Sequence, residues 1–212
     1  REWCRKELSL EKIREFDNKG EIPRGIIKGL ADLNLLLMTV PQEHGGAGVD
    51  WVTACIAAEE LGYADLSIAV PVLFLVETSW GFVIDKYCTE TVREVVRKTI
   101  KGEAFIGIAL TESGGGSDLA AIKSTGKKEG NDWVLNGEKT YISGTEEAKK
   151  LGGGHFLLVR TSPPPPGASH RGMTAFYLPI NAQGVEVSKR FDEMGRMAIS
   201  TGSITMENVR VP

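Results

Sequence analysis

A change of hydrophobic period near Gly102 constrains this chain more than any other feature. Before it, apolar residues recur at helical spacing; after it, they alternate. A repeat of 3.6 residues gives a helix one buried stripe, and a repeat of two gives a strand one buried face. Both periods occur here, each confined to its own half, which predicts separate helical and sheet blocks rather than an interleaved parallel sheet. With 212 residues the chain can bury two cores. The expected fold is α+β and multi-domain: an all-α domain over residues 1–103, then a mostly antiparallel β-barrel domain over residues 104–212.

The helical half has recognisable starts and stops. Residues 8–16 carry Leu8, Leu10, Ile13 and Phe16 at helical spacing. Pro23 opens a segment over residues 24–32, where a first turn tolerates proline. Residues 41–48, Pro-Gln-Glu-His-Gly-Gly-Ala-Gly, form a loop by composition. Asp50 suits the cap of a helix with Val52, Cys55, Ile56 and Leu61 on one face. Residues 68–87 form a long apolar, buried helix. Residues 89–101 form a shorter amphipathic one that stops at Gly102.

In the second half, residues 105–111 alternate small and apolar side chains. Residues 133–141 are expected to form a hairpin, because Asn136-Gly137 lies between alternating runs and suits a tight turn. Further strands are expected at residues 156–161, 173–179, 184–190 and 202–209. The prolines Pro163 to Pro166 mark a surface loop between two of them.

Several function classes drop out. Twenty-five basic against twenty-eight acidic residues leave a net charge of -3, no footprint for a nucleic-acid backbone. The longest apolar run, residues 68–76, contains Pro71 and falls far short of the ~20 residues of a membrane-spanning helix. The N-terminal residues are charged and show no signal-peptide core, though the lack of an initiator Met leaves room for residues upstream. Cys4, Cys55 and Cys88 form neither a metal-spaced pair nor a disulfide framework, so a soluble, intracellular protein is expected. His44, His155 and His170 are far apart, in loops or at strand edges, and no metal site is expected. No P-loop or Rossmann fingerprint is present.

The stretch Thr111-Glu112-Ser113-Gly114-Gly115-Gly116-Ser117-Asp118 is the most informative. Consecutive glycines after a strand let N–H groups converge on an anion such as a pyrophosphate; a mobile turn with a cap at Ser117 or Asp118 is the plain alternative. Period two puts Lys139, Tyr141 and Ser143 on one face of a strand and Thr140 and Ile142 on the other. Tyr141 and Ser143 beside that loop suit a flat heteroaromatic cofactor with a phosphate tail: the ring against Tyr141, the Ser143 hydroxyl on a ring nitrogen. A packed aromatic with an exposed serine is the alternative.

On these residues the chain resembles the acyl-CoA dehydrogenases. Residues 16–23 resemble the family's Asp-x-x-Gly-x-x-Pro region, residues 40–48 its Pro-Glu-x-Gly-Gly-x-Gly loop, and residues 57–62 the helix after it. Residues 110–118 resemble Thr-Glu-Pro-x-Ala-Gly-Ser-Asp. Residues 135–143 resemble Leu-Asn-Gly-x-Lys-x-Trp-Ile-Thr, and residues 194–201 and 207–212 the end of the family's β domain. Ser113 stands for the signature proline, Gly115 for its alanine, Tyr141 for the tryptophan and Ser143 for the threonine. Each keeps the physical role of the residue it replaces.

The resemblance implies FAD-dependent dehydrogenation of an acyl-CoA thioester to a trans-2-enoyl-CoA, by α-proton abstraction with hydride transfer to flavin N5. It implies FAD contacts at Ile108, Ala109, Leu110, Thr111, Gly116, Ser117, Tyr141, Ile142 and Ser143, with Ser117 also touching the pantetheine arm of the substrate. It implies a homo-oligomer, tetramer or dimer, and an electron-transfer flavoprotein or similar acceptor, in the cytoplasm or a mitochondrial matrix. The family's C-terminal helical bundle, which carries the catalytic base, has no counterpart here. No catalytic residue is therefore assigned, and Glu112 and Glu43 are read as loop or structural carboxylates. An acyl-CoA oxidase or flavin monooxygenase on the same fold, or a non-catalytic flavin- or CoA-binding subunit, are the alternatives.

Overall fold

The computed structural model describes residues 1–212. They divide into two compact units, Arg1–Ile106 with Phe191–Ser200, and Gly107–Arg190 with Thr201–Pro212. No helix is long and apolar enough to cross a membrane.

The first unit is built from α1 (Glu2–Glu7), α2 (Leu10–Lys19), α3 (Arg24–Asp32), α4 (Trp51–Ala64), α5 (Ala69–Tyr87) and α6 (Glu90–Ile100). Local chemistry sets most of the ends. Ser9 Oγ accepts the Lys12 N–H at the start of α2, and Gly20 at φ 65° closes it. Pro23 precedes α3, whose buried stripe is Ile26, Ile27, Leu30 and Ala31. Asp50 caps α4 by accepting the Thr53 N–H at 2.8 Å. The apolar face expected on α4 is not the buried one. Val52 is 71% and Ile56 56% exposed, and Cys55 is exposed; only Ala54 and Leu61 are buried. The helix is apolar around most of its circumference, so sequence alone does not choose a side. In α5, Glu77 is buried with no hydrogen-bond partner for Oε2, and burial pushes its carboxyl well above the usual carboxylate range.

The second unit rests on a seven-stranded sheet: β1 (Phe105–Ala109), β2 (Thr125–Glu129), β3 (Asp132–Ser143), β4 (Gly153–Arg160), β5 (Met173–Pro179), β6 (Val185–Val187) and β7 (Thr201–Val211). The order is β1-β4-β2-β3-β7-β6, and β5 pairs with β4 off this path. The expected mostly antiparallel sheet is borne out, with two refinements. The sheet is mixed, because β2 pairs parallel to β4 at Thr125↔Arg160, and its strand path is open, a curled sheet rather than a closed barrel. Helix α7 (Thr145–Leu151) separates β3 from β4. A crossover of that kind, unlike a tight turn, permits a parallel neighbour.

The expected hairpin at Asn136-Gly137 is also displaced. Strand β3 runs straight through both residues, paired with β7 on either side of a register shift between Leu135 and Gly137. The hairpin is the earlier one, β2 to β3, closing at the Glu129↔Asp132 pair. Its two-residue loop begins with Gly130 at φ 66°, the first central position, where tight hairpin turns call for glycine. Asn136 does a different job: its Oδ1 accepts the Asn208 N–H at 2.8 Å across the bulge.

Candidate functional site

The residues singled out by sequence fall on two neighbouring stretches of the sheet unit. The first leaves β1 at Ala109 and continues through Leu110 and Thr111 into the glycine turn. The second is the end of β3. A single backbone bond joins them: the Thr140 N–H donates to the Thr111 carbonyl at 2.9 Å. Ile108, Leu110 and Thr111 are half-buried and Ala109 is fully buried. Gly116 folds back beside Thr111, whose Cγ2 lies 3.4 Å from the place a Cβ on Gly116 would take. Ser117 is exposed and makes no bond to residues 141–143. Asp118 caps the short turn Leu119–Ala121 through the Ala120 N–H.

The end of β3 departs from simple alternation. Its register against β7 shifts between Lys139 and Ile142, and Tyr141 within that bulge has φ 57°. A left-handed backbone at a bulky residue costs energy and persists only where neighbouring structure holds it. The bulge also breaks the shared face expected for Lys139, Tyr141 and Ser143. Lys139 is fully buried, Tyr141 is 69% exposed, Ile142 is buried and Ser143 is half-buried. An inserted residue inverts the in-out phase, and that carries Lys139 into the core and leaves the tyrosine ring outside.

Lys139 is the anchor that sequence reasoning missed. Its Nζ donates to Glu112 Oε1 at 2.8 Å, to the Leu158 carbonyl at 2.7 Å and to the Leu110 carbonyl at 3.4 Å. Glu112 in turn accepts the Lys123 N–H at 2.7 Å on Oε2 and the Ser124 N–H at 3.0 Å on Oε1. Burial pushes the Glu112 carboxyl up, but the Lys139 ammonium and the N–H donors outweigh it and hold the carboxyl below the usual carboxylate range. Burial likewise pulls the Lys139 ammonium below the usual lysine range, with Glu112 offsetting part of the effect. A carboxylate so occupied is an anchor for the loop, not a free base. Ser203 Oγ lies 3.0 Å from Thr140 Oγ1, another tie at the same bulge.

The glycine turn itself is tight and open. Glu112 and Gly115 exchange N–H···O bonds, each of 3.0 Å. A Cβ on Gly114 would meet nothing closer than Lys123 Nζ at 3.9 Å, and one on Gly115 nothing closer than the Asp118 carbonyl at 4.0 Å. Neither glycine has positive φ. Internal packing and backbone angle thus leave room for a side chain, so the bare backbone there is a cradle facing outward, with an ammonium beside it. Together with an exposed aromatic ring and a serine at the strand end, these residues fit a planar aromatic group carrying an anionic tail.

Comparisons with known proteins bear on the family of the chain. The family model described as "Acyl-CoA dehydrogenase, N-terminal domain" matches residues 1–103, and "Acyl-CoA dehydrogenase, middle domain" matches residues 107–209. The mitochondrial short-chain specific acyl-CoA dehydrogenase of Mus musculus is 29% identical over 212 residues, 100% of this chain and 50% of that protein. The mitochondrial short/branched chain specific enzyme of Rattus norvegicus is 30% identical over 200 residues, 94% of this chain and 44% of that protein. Among solved structures, a glutaryl-coenzyme A dehydrogenase in complex with glutaryl-CoA superposes with a TM-score of 0.86 at 28% identity, covering 100% of this chain and 52% of that one. The chain thus spans about half the length of the relatives it matches.

Proposed function

The chain belongs to the acyl-CoA dehydrogenase family, and we propose on that basis that it supplies the flavin-facing wall of an enzyme that desaturates an acyl-CoA thioester between its α and β carbons. The observation that carries the reading is the bond from the Thr140 N–H to the Thr111 carbonyl. It sets an outward glycine cradle and an exposed aromatic, held at positive φ, on adjoining stretches of one sheet. FAD, when bound, supplies the acceptor for the hydride that leaves the β carbon. The chain's own residues bind and orient. The N–H groups of Gly114, Gly116 and Ser117 and the Lys123 ammonium receive the phosphates, the Gly115 N–H being held by the Glu112 carbonyl. Residues 108–111 line the ring, Tyr141 lies against it, the buried Ile142 backs the strand from the core side, and the Ser143 hydroxyl donates to the ring. Ser117 also meets the pantetheine arm of the substrate. Oriented donors of this kind align a reacting bond and favour charge as it develops.

The reading takes the proton acceptor from outside residues 1–212, and Glu112, the carboxylate of the loop, is committed to Lys139, Lys123 and Ser124. An oligomer, tetramer or dimer, and an electron-transfer flavoprotein or similar acceptor complete the proposal. The glutaryl-CoA held by a solved relative supports a CoA thioester as the ligand class. The test is anaerobic bleaching of the flavin by a panel of straight and branched acyl-CoAs, run on the full gene product and on residues 1–212 alone. Bleaching is expected only with the full product. No bleaching by any thioester defeats the dehydrogenase reading. Equal bleaching by residues 1–212 alone places the base within them.

A further inference from the structure

His155 belongs to β4 and is fully buried, on the same inward side as Leu157 and Val159. Its Nε2 lies 3.1 Å from the Ser143 carbonyl oxygen. Sequence reasoning placed this histidine in a loop or at a strand edge, which the burial contradicts.

We propose that His155 is a positioning residue for the cofactor wall: by donating its Nε2–H to the Ser143 carbonyl from inside the sheet, it fixes the peptide at which β3 ends and so the place of the Ser143 hydroxyl. The inference rests on the flavin reading above. A carbonyl only accepts, so the proton of this bond must sit on Nε2. Burial pulls the ring's pKa down to about 4, which keeps it neutral near pH 7, and the Ser143 carbonyl selects the tautomer.

The place of the bond explains why a histidine is kept at a core position where an apolar side chain would pack at less cost. Strand β2 accompanies β3 only as far as Asn136. Beyond that point single bonds replace the ladder on the β2 side, Thr140 N–H to Thr111 and then His155 to Ser143, while pairing with β7 on the other side runs on to Ser143↔Thr201. Directly after Ser143 the chain turns at Gly144, φ 78°, into α7. Between the bulge at Tyr141 and the turn at Gly144, the Ser143 peptide is held to β4 through His155.

The test compares His155→Leu, His155→Asn and His155→Gln in the full gene product. Glutamine carries an N–H donor as many bonds from Cα as histidine Nε2; asparagine does not. FAD affinity is read by fluorescence quenching, with the visible band of the bound flavin recorded. Loss of one oriented hydrogen bond is expected to weaken FAD about tenfold in the Leu and Asn variants and to shift the band, with Gln restoring both. Wild-type binding with unchanged affinity and spectrum in the Leu variant overturns the positioning role alone. A wild-type protein that binds no FAD overturns both readings. A merely structural role would lower the melting temperature of all three variants without a rescue by Gln. Should the Leu variant fail to fold, 15N NMR of the wild-type histidines decides: an Nε2–H tautomer that persists down to pH 5 is expected, and titration near 6.5 overturns the proposal.

Discussion

Replacing Lys139 with methionine is expected to destabilise the sheet unit by about 3–5 kcal/mol, as removal of one partner from a buried ion pair does. The lysine is fully buried, and its ammonium serves the Glu112 carboxylate and the carbonyls of Leu110 and Leu158. Methionine fills much of the volume but leaves those acceptors without a donor and Glu112 without its counter-charge. Glu112 is the link between this anchor and the glycine turn, so the turn should lose its rigidity as well. Urea unfolding of Lys139→Met, Glu112→Gln and the double variant separates the terms. The double variant should be less destabilised than the sum of the singles, because it no longer strands a charge. A cost for Lys139→Met below about 1 kcal/mol, the scale of a surface pair, would contradict the assignment. The sign of the pH dependence follows from the carboxylate. Its folded-state pKa is held down, so the pair stabilises above the unfolded value of about 4.3 and fades as pH falls through the folded one. The gap between wild type and Lys139→Met should therefore narrow on acidification below about pH 4.

The second expectation runs the other way, large in binding and silent in folding. Gly115→Val adds a branched side chain where the nearest atom to a Cβ is the Asp118 carbonyl at 4.0 Å, and where φ is not positive. The melting temperature of the protein without cofactor should barely change. The added methyls, however, fill the cradle through which the phosphates reach the backbone N–H groups. Loss of charge-assisted bonds of this kind is expected to weaken FAD about 100-fold. Differential scanning fluorimetry and flavin fluorescence titration on the full gene product read the two quantities side by side. Unchanged affinity moves the phosphates elsewhere; a lowered melting temperature in the cofactor-free protein means the glycine serves packing instead.

How far the sequence alone could be read depended on whether local chemistry or distant pairing decided each element. Helix α3 was legible because Pro23 marks its start and Ile26, Ile27 and Leu30 repeat with its turns. Strand β2, Thr-Gly-Lys-Lys-Glu, was not, because only Gly126 in it is buried; its strand state comes from pairing with β3. Asn136-Gly137 reads locally as a turn, and the long ladder with β7 overrides it. The same limit applies at the site. The glycine turn and the strand ending in Ser143 were visible as motifs, and the structure sets Thr111 against Thr140. The bulge that sends Lys139 inward and Tyr141 outward was invisible, since a one-residue shift leaves no mark on the pattern that precedes it. His155 looked like any isolated histidine, because burial is a property of the strands around it.

The most direct measurement of the account is amide hydrogen exchange of the full gene product with and without FAD. Slowed exchange on binding is expected in two separated segments, residues 110–117 and residues 140–144, which meet at the Thr140–Thr111 bond. FAD that binds while both segments exchange at their unliganded rates, with protection confined to other residues, would contradict the claim that this sheet forms the flavin wall.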